Sequence, residues 1–488
     1  MTEIEQILNP NVYVFAFHLI GEASGRDNPL WNWGDDFLEI FTSKKLKPNL
    51  NFSKEESTFR LDLLPQMPQT SLSFDAEVSY NETKFDVNGF AKPMKIGDSY
   101  ALWLNVGFPD SFVGKVSPQC LSTFNPNNLL GIVTGKEFLG ETILITAKLP
   151  PQHYRLLLTQ QPPPSLKTLE SLADKCCNAL FPETYRPPFN RAGELFGSPI
   201  FEYGLIKQTT NYRHLLVWFP NSEASEDKLS IYQQEIIDLF YYRNKIIKAF
   251  HNSRQIHRLL FDFYRQVEDN VNSLQQRIDE LGSELTTENL QDFKEELKRL
   301  LKTALTYTQW LTKLEDYGNT IAINLNNYDE KLAQIYAKLE TDEEELSILN
   351  HFSRKTAPYV RSQIAGDLGY FRHGTNLIDQ AIASIRGIVE IEQARCDRTN
   401  QLALRKSEDK KKYRDDRLES RVQAIGVGLA AGGIAASSGT NTVFDTVQKY
   451  KIPVLKEFHP FAFSFLLSCA IALILASITW WRTKPKNN

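Results

Sequence analysis

The chain has 488 residues, 42% hydrophobic and 23% charged, which allows two or three domains and at least one sizeable core. Its net charge of -4 carries no global basic bias, so nucleic acid is not an expected partner. Its five cysteines, Cys120, Cys176, Cys177, Cys396 and Cys469, fit neither a disulfide framework nor a zinc-site spacing.

The first residues carry Glu3, Glu5, Glu22, Arg26 and Asp27 and lack a basic start followed by an apolar run, so no signal peptide is expected and the N-terminus stays in the cytosol. Residues 1–164 read as a β-rich or mixed α/β cytosolic domain. Strand-like runs occur at Asn11–Ile20, Phe59–Leu63, Ser99–Val106 and Glu141–Ala147, all rich in β-branched and aromatic residues or alternating in polarity. His18 sits in an apolar run, as a core histidine does. Trp31 and Trp33 beside Asp35 and Asp36 fit a packed corner with capping acids. Pro162, Pro163 and Pro164 form a stiff break. Residues 165–224 then read as a small mixed lobe, with a helix over Leu166–Leu180 that carries Cys176 and Cys177, and a strand at Leu215–Phe219.

Composition changes at about Ala224. From there to Gln423 the only proline is Pro358, and apolar residues take helical spacing. Val267, Val271, Leu274, Ile278, Leu281 and Leu285 step by four and three, as do Leu290, Phe293, Leu297, Leu300, Ala304, Tyr307, Leu311 and Leu314. A sustained 3.5-residue period predicts an antiparallel helical, coiled-coil region over 225–423. The turn falls at Leu285–Leu290, capped by Thr286 or Thr287, and Gly318–Thr320 and Asn326–Tyr328 are candidate interruptions. Asn376–Gln423 reads as one helix about 70 Å long. His251 and His257 lie six apart and do not share a helical face as a metal pair would, and the acidic run Glu340–Glu345 reads as a solvated loop.

Two uncharged segments follow. Pro460–Trp481 reads as a membrane span closed by Trp480, Trp481 and the basic tail 482–488. Val422–Phe444 is a second candidate span, centred on 424–444, with Gly428, Gly432 and Ala436 forming a small-residue packing stripe. Residues 445–459 become an external loop by the positive-inside rule, with both termini cytoplasmic in a multi-pass inner (plasma) membrane protein. The expected fold class is therefore an α+β multidomain membrane protein with a mixed cytosolic domain, a long helical region and two C-terminal transmembrane helices.

This order of parts resembles the CorA-like family of divalent-cation channels and transporters. In that family the first span lines a homopentameric pore and a Gly-Met-Asn tripeptide marks the ion entrance. Gly439, Thr440 and Asn441 occupy the matching place, with Thr440 standing for the methionine and Ser438 for the usual preceding aromatic. The resemblance implies a homo-oligomeric ligand-gated ion channel or transporter whose pore mouth is Gly439, Thr440 and Asn441, with a divalent cation as transported ion or regulator. The alternative expectation is a membrane-anchored sensor or effector, in a prokaryotic stress or defence role, that recruits partners through its cytosolic coiled coil. Expected partners are the lipid bilayer, further copies of the chain, and a cytosolic protein or small-molecule ligand. The sequence holds no P-loop, dinucleotide fingerprint, G-x-S-x-G elbow or H-E-x-x-H helix, so neither an enzyme nor a resident cofactor is expected.

Overall fold

The computed structural model describes residues 5–21, 28–50, 58–64, 70–130, 135–150, 164–208, 212–280, 286–339 and 343–404, with isolated positions from 426 onward. The chain forms two compact units, Met1–Arg386 and Gly387–Asn488. The first unit contains the whole sheet and the helices packed on it.

Ten strands build this sheet: β1 (Ile7–Leu19), β2 (Arg60–Asp62), β3 (Leu72–Tyr80), β4 (Thr83–Ile96), β5 (Ser99–Gly107), β6 (Lys115–Val116), β7 (Phe138–Lys148), β8 (Phe189–Leu195), β9 (Ser198–Tyr203) and β10 (His214–Trp218). Their order is β2-β4-β5-β1-β7-β10-β9-β8, with β3 also pairing β4 and β6 pairing β1. Every pairing is antiparallel except β10 with β7. Residues 165–224, read as a separate lobe, thus supply three strands of the same sheet. The central strand β5 is buried at all nine positions, the pattern of a strand covered on both faces. The β3–β4 hairpin turns on Asn81 and Glu82, both at positive φ (48° and 65°), the backbone that a tight primed turn requires.

One face of the sheet is covered by α1 (Pro29–Glu39), α2 (Leu166–Leu180) and a 3₁₀ helix at Pro118–Phe124. Trp31 and Trp33 form the expected packed corner, but Asn28, not Asp35 or Asp36, caps α1. Trp31 packs on Tyr100 at 5.2 Å, Trp33 Nε1 donates to Leu129 O at 2.8 Å, and Asp35 accepts from Leu46 N. Cys120, Cys176 and Cys177 are buried beneath α2. Burial pushes the Cys120 and Cys177 thiols up to about 12, which removes them as nucleophiles near neutral pH.

The opposite face is covered by α3 (Glu223–Ile231) and α4 (Gln233–Glu280). Then come α5 (Thr287–Leu339), the short α6 (Ser347–His351), a π-helical turn at Phe352–Thr356 and α7 (Ala357–Leu404). Phe240 of α4 meets Phe15 of β1 at 5.3 Å, and Tyr241 meets Phe17 at 5.6 Å. From His257 onward, the partners of α4 lie on helices: Asp367 and Tyr370 of α7, and Asp292 of α5.

A strict seven-residue repeat underlies this packing. On α5, Phe293, Leu300, Tyr307, Leu314, Ile321, Tyr328 and Ile335 are each at most 1% exposed. On α4 the series is Leu239, Ile246, Ser253, Leu260, Val267 and Leu274, and on α7 it is Ala357, Ile364, Phe371, Ile378 and Ile385. A seven-residue period keeps one seam facing its neighbours over many turns by winding the helices into a left-handed supercoil. Lys338–Glu235 at one end and Arg277–Asp292 at the other fix α4 and α5 as antiparallel. Thr286 accepts from Asn289 N at 3.2 Å and is the cap of α5. The helix runs unbroken through Gly318 and Asn326, because the buried seam outweighs the weak local preference of these residues. Pro358 falls in the first turn of α7, directly after the wide π turn that relieves the ring's clash with the preceding turn.

Among the described residues no helix is long and apolar enough to cross a membrane. The long helices are amphipathic, and charges such as Asp238, Arg243, Lys245 and Lys248 interrupt even the most buried part of α4. The expected α+β membrane fold is therefore corrected to a mixed α/β architecture of one large sheet and long helices. The membrane, transmembrane and channel assignments and the multi-pass location lose their footing with it. The segments 424–444 and 460–481 fall outside the described residues apart from isolated positions, as do Gly428, Gly432, Ala436, Gly439, Thr440 and Asn441.

The seam makes a quantitative expectation. Leu314→Ala should cost about 3 kcal/mol in urea denaturation, whereas Ile323→Ala, 60% exposed on the same helix, should cost about 0.5 kcal/mol or less.

Candidate functional site

The sheet face beneath α4 is apolar along most of its length: Phe15, Phe17, Leu144, Leu216 and Trp218 meet Ile236, Ile237 and Phe240. At its β8–β9 end this apolar layer gives way to buried charge. Glu202 on β9 and His214 on β10 point to this face, and Arg243 and Asn244 descend from α4; all four are at most 6% exposed.

Glu202 is the hub. Its Oε1 accepts from Arg243 Nη2 at 3.1 Å, and its Oε2 accepts from Asn190 Nδ2 at 3.0 Å with Arg191 Nε 2.8 Å away. Arg243 also donates to the Tyr212 hydroxyl at 2.8 Å, and its guanidinium lies over the Phe352 ring at 5.2 Å. Burial alone would raise the Glu202 pKa, but His214, Arg243 and Arg191 together hold it down at about 2.

His214 joins the hub to α4 by a second route. Asn244 Nδ2 donates to Thr142 Oγ1 at 3.1 Å, and Thr142 Oγ1 lies 3.0 Å from His214 Nδ1. Burial, reinforced by the nearby Arg243 charge, pushes the imidazole down to about 4, so it is neutral at pH 7. A neutral ring that accepts from Thr142 at Nδ1 carries its proton on Nε2, 3.2 Å from Glu202 Oε1. That contact is attractive in charge although it is not aligned as a hydrogen bond. Gly140, at φ 131°, lets Asn244 this close, since a Cβ there would sit 2.6 Å from Asn244 Oδ1.

Two more charged clasps grip α4. Asp238 pairs with Arg60 of β2 and, at 3.3 Å, with Lys331 of α5. Asp98, in the β4–β5 turn, accepts from Tyr241 and Lys245 at 2.7 Å each. Further along, Arg254 pairs with Asp367 of α7.

At the other end of the same face a cleft of about 320 Å³ opens between β1, β7, β10 and the α3–α4 segment. Across the sheet, Glu141 is buried with burial pushing it up to about 7 against the pull of Arg213.

The arrangement can hold and orient; it offers no nucleophile beside a base. Among the described residues no group of three or more His, Cys, Asp or Glu side chains could hold a metal ion. His18 is buried beside Asn28, His251 Nε2 lies 2.9 Å from Ile206 O, and His257 faces Asp367, so the histidines stay apart. The expected pore-mouth residues Gly439, Thr440 and Asn441 and packing residues Gly428, Gly432 and Ala436 lie outside the described residues. Sequence reasoning passed over Glu202, His214 and Arg243, although each interrupts an apolar run: Pro-Ile-Phe-Glu-Tyr, Arg-His-Leu-Leu-Val-Trp and Leu-Phe-Tyr-Tyr-Arg-Asn. A charge inside such a run is the available signal. No protein-family model matches the chain, and no curated protein matches it.

Glu202→Gln keeps the volume but leaves Arg243 and Arg191 uncompensated, and should cost about 3–5 kcal/mol at pH 7. A depressed carboxylate pKa lends stability above the unfolded value of about 4.3 that is lost as pH falls toward the folded value. The gap between native chain and variant should therefore narrow below pH 4.5, read by urea titrations at stepped pH. The difference is the proper readout. His214, lowered to about 4, and Glu141, raised to about 7, tilt native stability in opposite directions over the intervening range.

Proposed function

We propose that this protein works by binding rather than by catalysis, as a sensor or effector. Its sheet domain receives a signal, and its helical hairpin presents the result to a partner. One observation carries this reading: α4 belongs to both parts. Its first half forms the roof of the sheet core, and its second half forms a seam with α5 and α7. A change that shifts α4 against the sheet therefore shifts the hairpin with it.

The buried ionic hub suits that role. Its charges sit on two strands and one helix, so any rearrangement of β8 and β9 must be answered by α4 or leave a charge unpaired at high cost. Outer positions of the hairpin supply a surface for a partner. Leu301 and Leu305, one turn apart on α5, and Leu259 and Phe261 on α4 are about two-fifths exposed.

Hydrogen exchange on the full chain tests the coupling. Arg191→Lys keeps the charge but loses the Nε contact to Glu202, and should be milder than Glu202→Gln. Leu172→Ala, on α2 behind the sheet, controls for plain destabilisation. Hub variants should speed exchange over residues 293–314 about tenfold more than the control does, although this segment lies about 20 to 50 Å along α4 from Arg243. Equal effects of hub and control variants on those residues would falsify the coupling.

A further inference from the structure

A second buried carboxyl lies behind the hub, on the opposite face of the same strands. Thr142 of β7 and His214 of β10 stand side by side in the parallel pair, and Thr142 holds Asn244 of α4. Alternation turns their neighbours Glu141 and Arg213 to the other face, the one that α1 and α2 cover. Glu141 lies opposite Ala16 of β1, at the end of an apolar row that continues through Ile143, Ile145 and Ala147. It is 6% exposed, and its Oε2 is buried without a hydrogen-bond partner among the described residues.

Arg213 acts on this carboxyl through its charge and not through a hydrogen bond. Its guanidinium donates to Leu130 O at 2.7 Å and lies over the rings of Phe181 and Tyr185 at 5.0 and 5.2 Å. Other titratable groups of this face have their own surroundings. His18 of β1 lies 3.3 Å from Asn28, Asp35 of α1 accepts from Leu46 N, and Asp174 of α2 accepts from the Tyr203 hydroxyl at 2.7 Å. Burial raises the Cys120, Cys176 and Cys177 thiols, so they stay neutral. Asp36 and Glu39 of α1 and Lys167 of α2 are exposed, and Glu170 and Lys175 of α2 are half-buried. Glu141 can therefore be buried as the neutral acid, whereas its anion lacks a donor and is strongly disfavoured. Burial accordingly pushes its pKa up to about 7.

We propose that Glu141 is a proton latch on the β7–β10 pair: as the neutral acid it stays inside the sheet, and on giving its proton to solvent it opens that end of the pair and loosens the Thr142–His214–Asn244 link to α4. The link is direct, because Thr142 follows Glu141 in the chain and His214 follows Arg213. A raised carboxylate pKa lends stability that is fully present below the unfolded value of about 4.3 and is lost as pH rises through about 7. The latch is thus closed in mild acid and weakened above neutrality. The hub itself does not titrate there, since Glu202 is held at about 2 and His214 at about 4. The latch deepens the sensor reading by naming its input, a proton, and rests on that reading only for the last step, from α4 to the hairpin.

Hydrogen exchange of the full chain at about pH 6 and about pH 8, corrected for the intrinsic pH dependence of exchange, tests the latch. An open form in which Glu141 titrates at about 4.3 gains about tenfold in population over that interval. Amides of residues 140–146, 214–218 and 240–247 should therefore exchange about tenfold faster at the higher pH. Glu141→Gln keeps the size and removes the proton equilibrium, so its ratio should fall to about one. A native ratio near one, an equal ratio in both chains, or acceleration that leaves 240–247 unchanged would overturn the latch. Carboxyl carbon-13 titration of the native chain with labelled glutamate decides the matter even where the variant does not fold: a glutamate titrating near about pH 7 supports the latch, and its absence overturns it. Acceleration through 240–247 that stops short of 293–314 would instead sink the coupling to the hairpin and leave the latch standing.

Discussion

One constraint organises the rest of this molecule: α4 must keep a single buried seam over 48 residues while its surroundings change from sheet to helix. Leu239 and Ile246 of that seam lie over the strands, whereas Val267 and Leu274 lie between helices. The seven-residue spacing does not change at the crossover. It is flanked by aromatic residues in both settings, Phe240 and Tyr241 against Phe15 and Phe17 of β1 and Tyr264 against Tyr370 of α7. α4 shares this joining of sheet and helices with the segment after α5, where Ser347 Oγ accepts from Glu194 N of β8 at 2.8 Å.

A continuous apolar seam specifies contact but not register, because it can slide by a heptad. The polar residues along it remove that freedom. Tyr307 donates to Phe371 O at 2.7 Å and Tyr328 to Leu349 O at 3.2 Å, each across two elements. Asp238 and Asp367 add charged pins to α5 and α7. Each has its partner in one register only, and sliding would bury unsatisfied groups. The Glu202 hub does the same for the helix against the sheet. Well-packed hydrocarbon in its place could be as stable, so the hub is better explained by the orientation it imposes.

The helical half was legible because its signal is local and repeated. The a and d spacing from Val267 to Leu314, the cap at Thr286 and the helix Leu166–Leu180 are all written in short windows of sequence. Strands β1, β5, β7 and β10 were visible for the same reason, as dense apolar runs. The β3–β4 hairpin alternates strictly (Leu-Ser-Phe-Asp-Ala-Glu-Val-Ser-Tyr) and was legible but passed over, whereas β8 (Phe-Asn-Arg-Ala-Gly-Glu-Leu) is hardly apolar and carries little strand signal. The hub was missed because its parts stand far apart in sequence, Glu202 and Arg243 by 41 positions, and meet only when β9 and α4 are laid face to face. The membrane reading drew on 424–481, whereas every long helix among the described residues is amphipathic and finds its apolar partners within its own unit.

The placement of cleft and hub on one face follows from these same periods. Strand residues of one parity, Thr142, Leu144 and Thr146 on β7 and His214, Leu216 and Trp218 on β10, point toward α4. The helix answers with Gln233, Ile236, Phe240, Arg243 and Ile247, one face at three- and four-residue steps. The apolar middle of the two rows binds sheet to helix and cannot change without cavities. Both ends are polar: at the hub Glu202 is buried between Arg191 and Arg243, and at the cleft the exposed Asp110 and Asp227 stand at the rim beside the Lys148–Glu226 pair. α4 thus passes the cleft at Gln233 and Ile236 and the buried charge at Arg243 before it continues into the helical seam with α5 and α7.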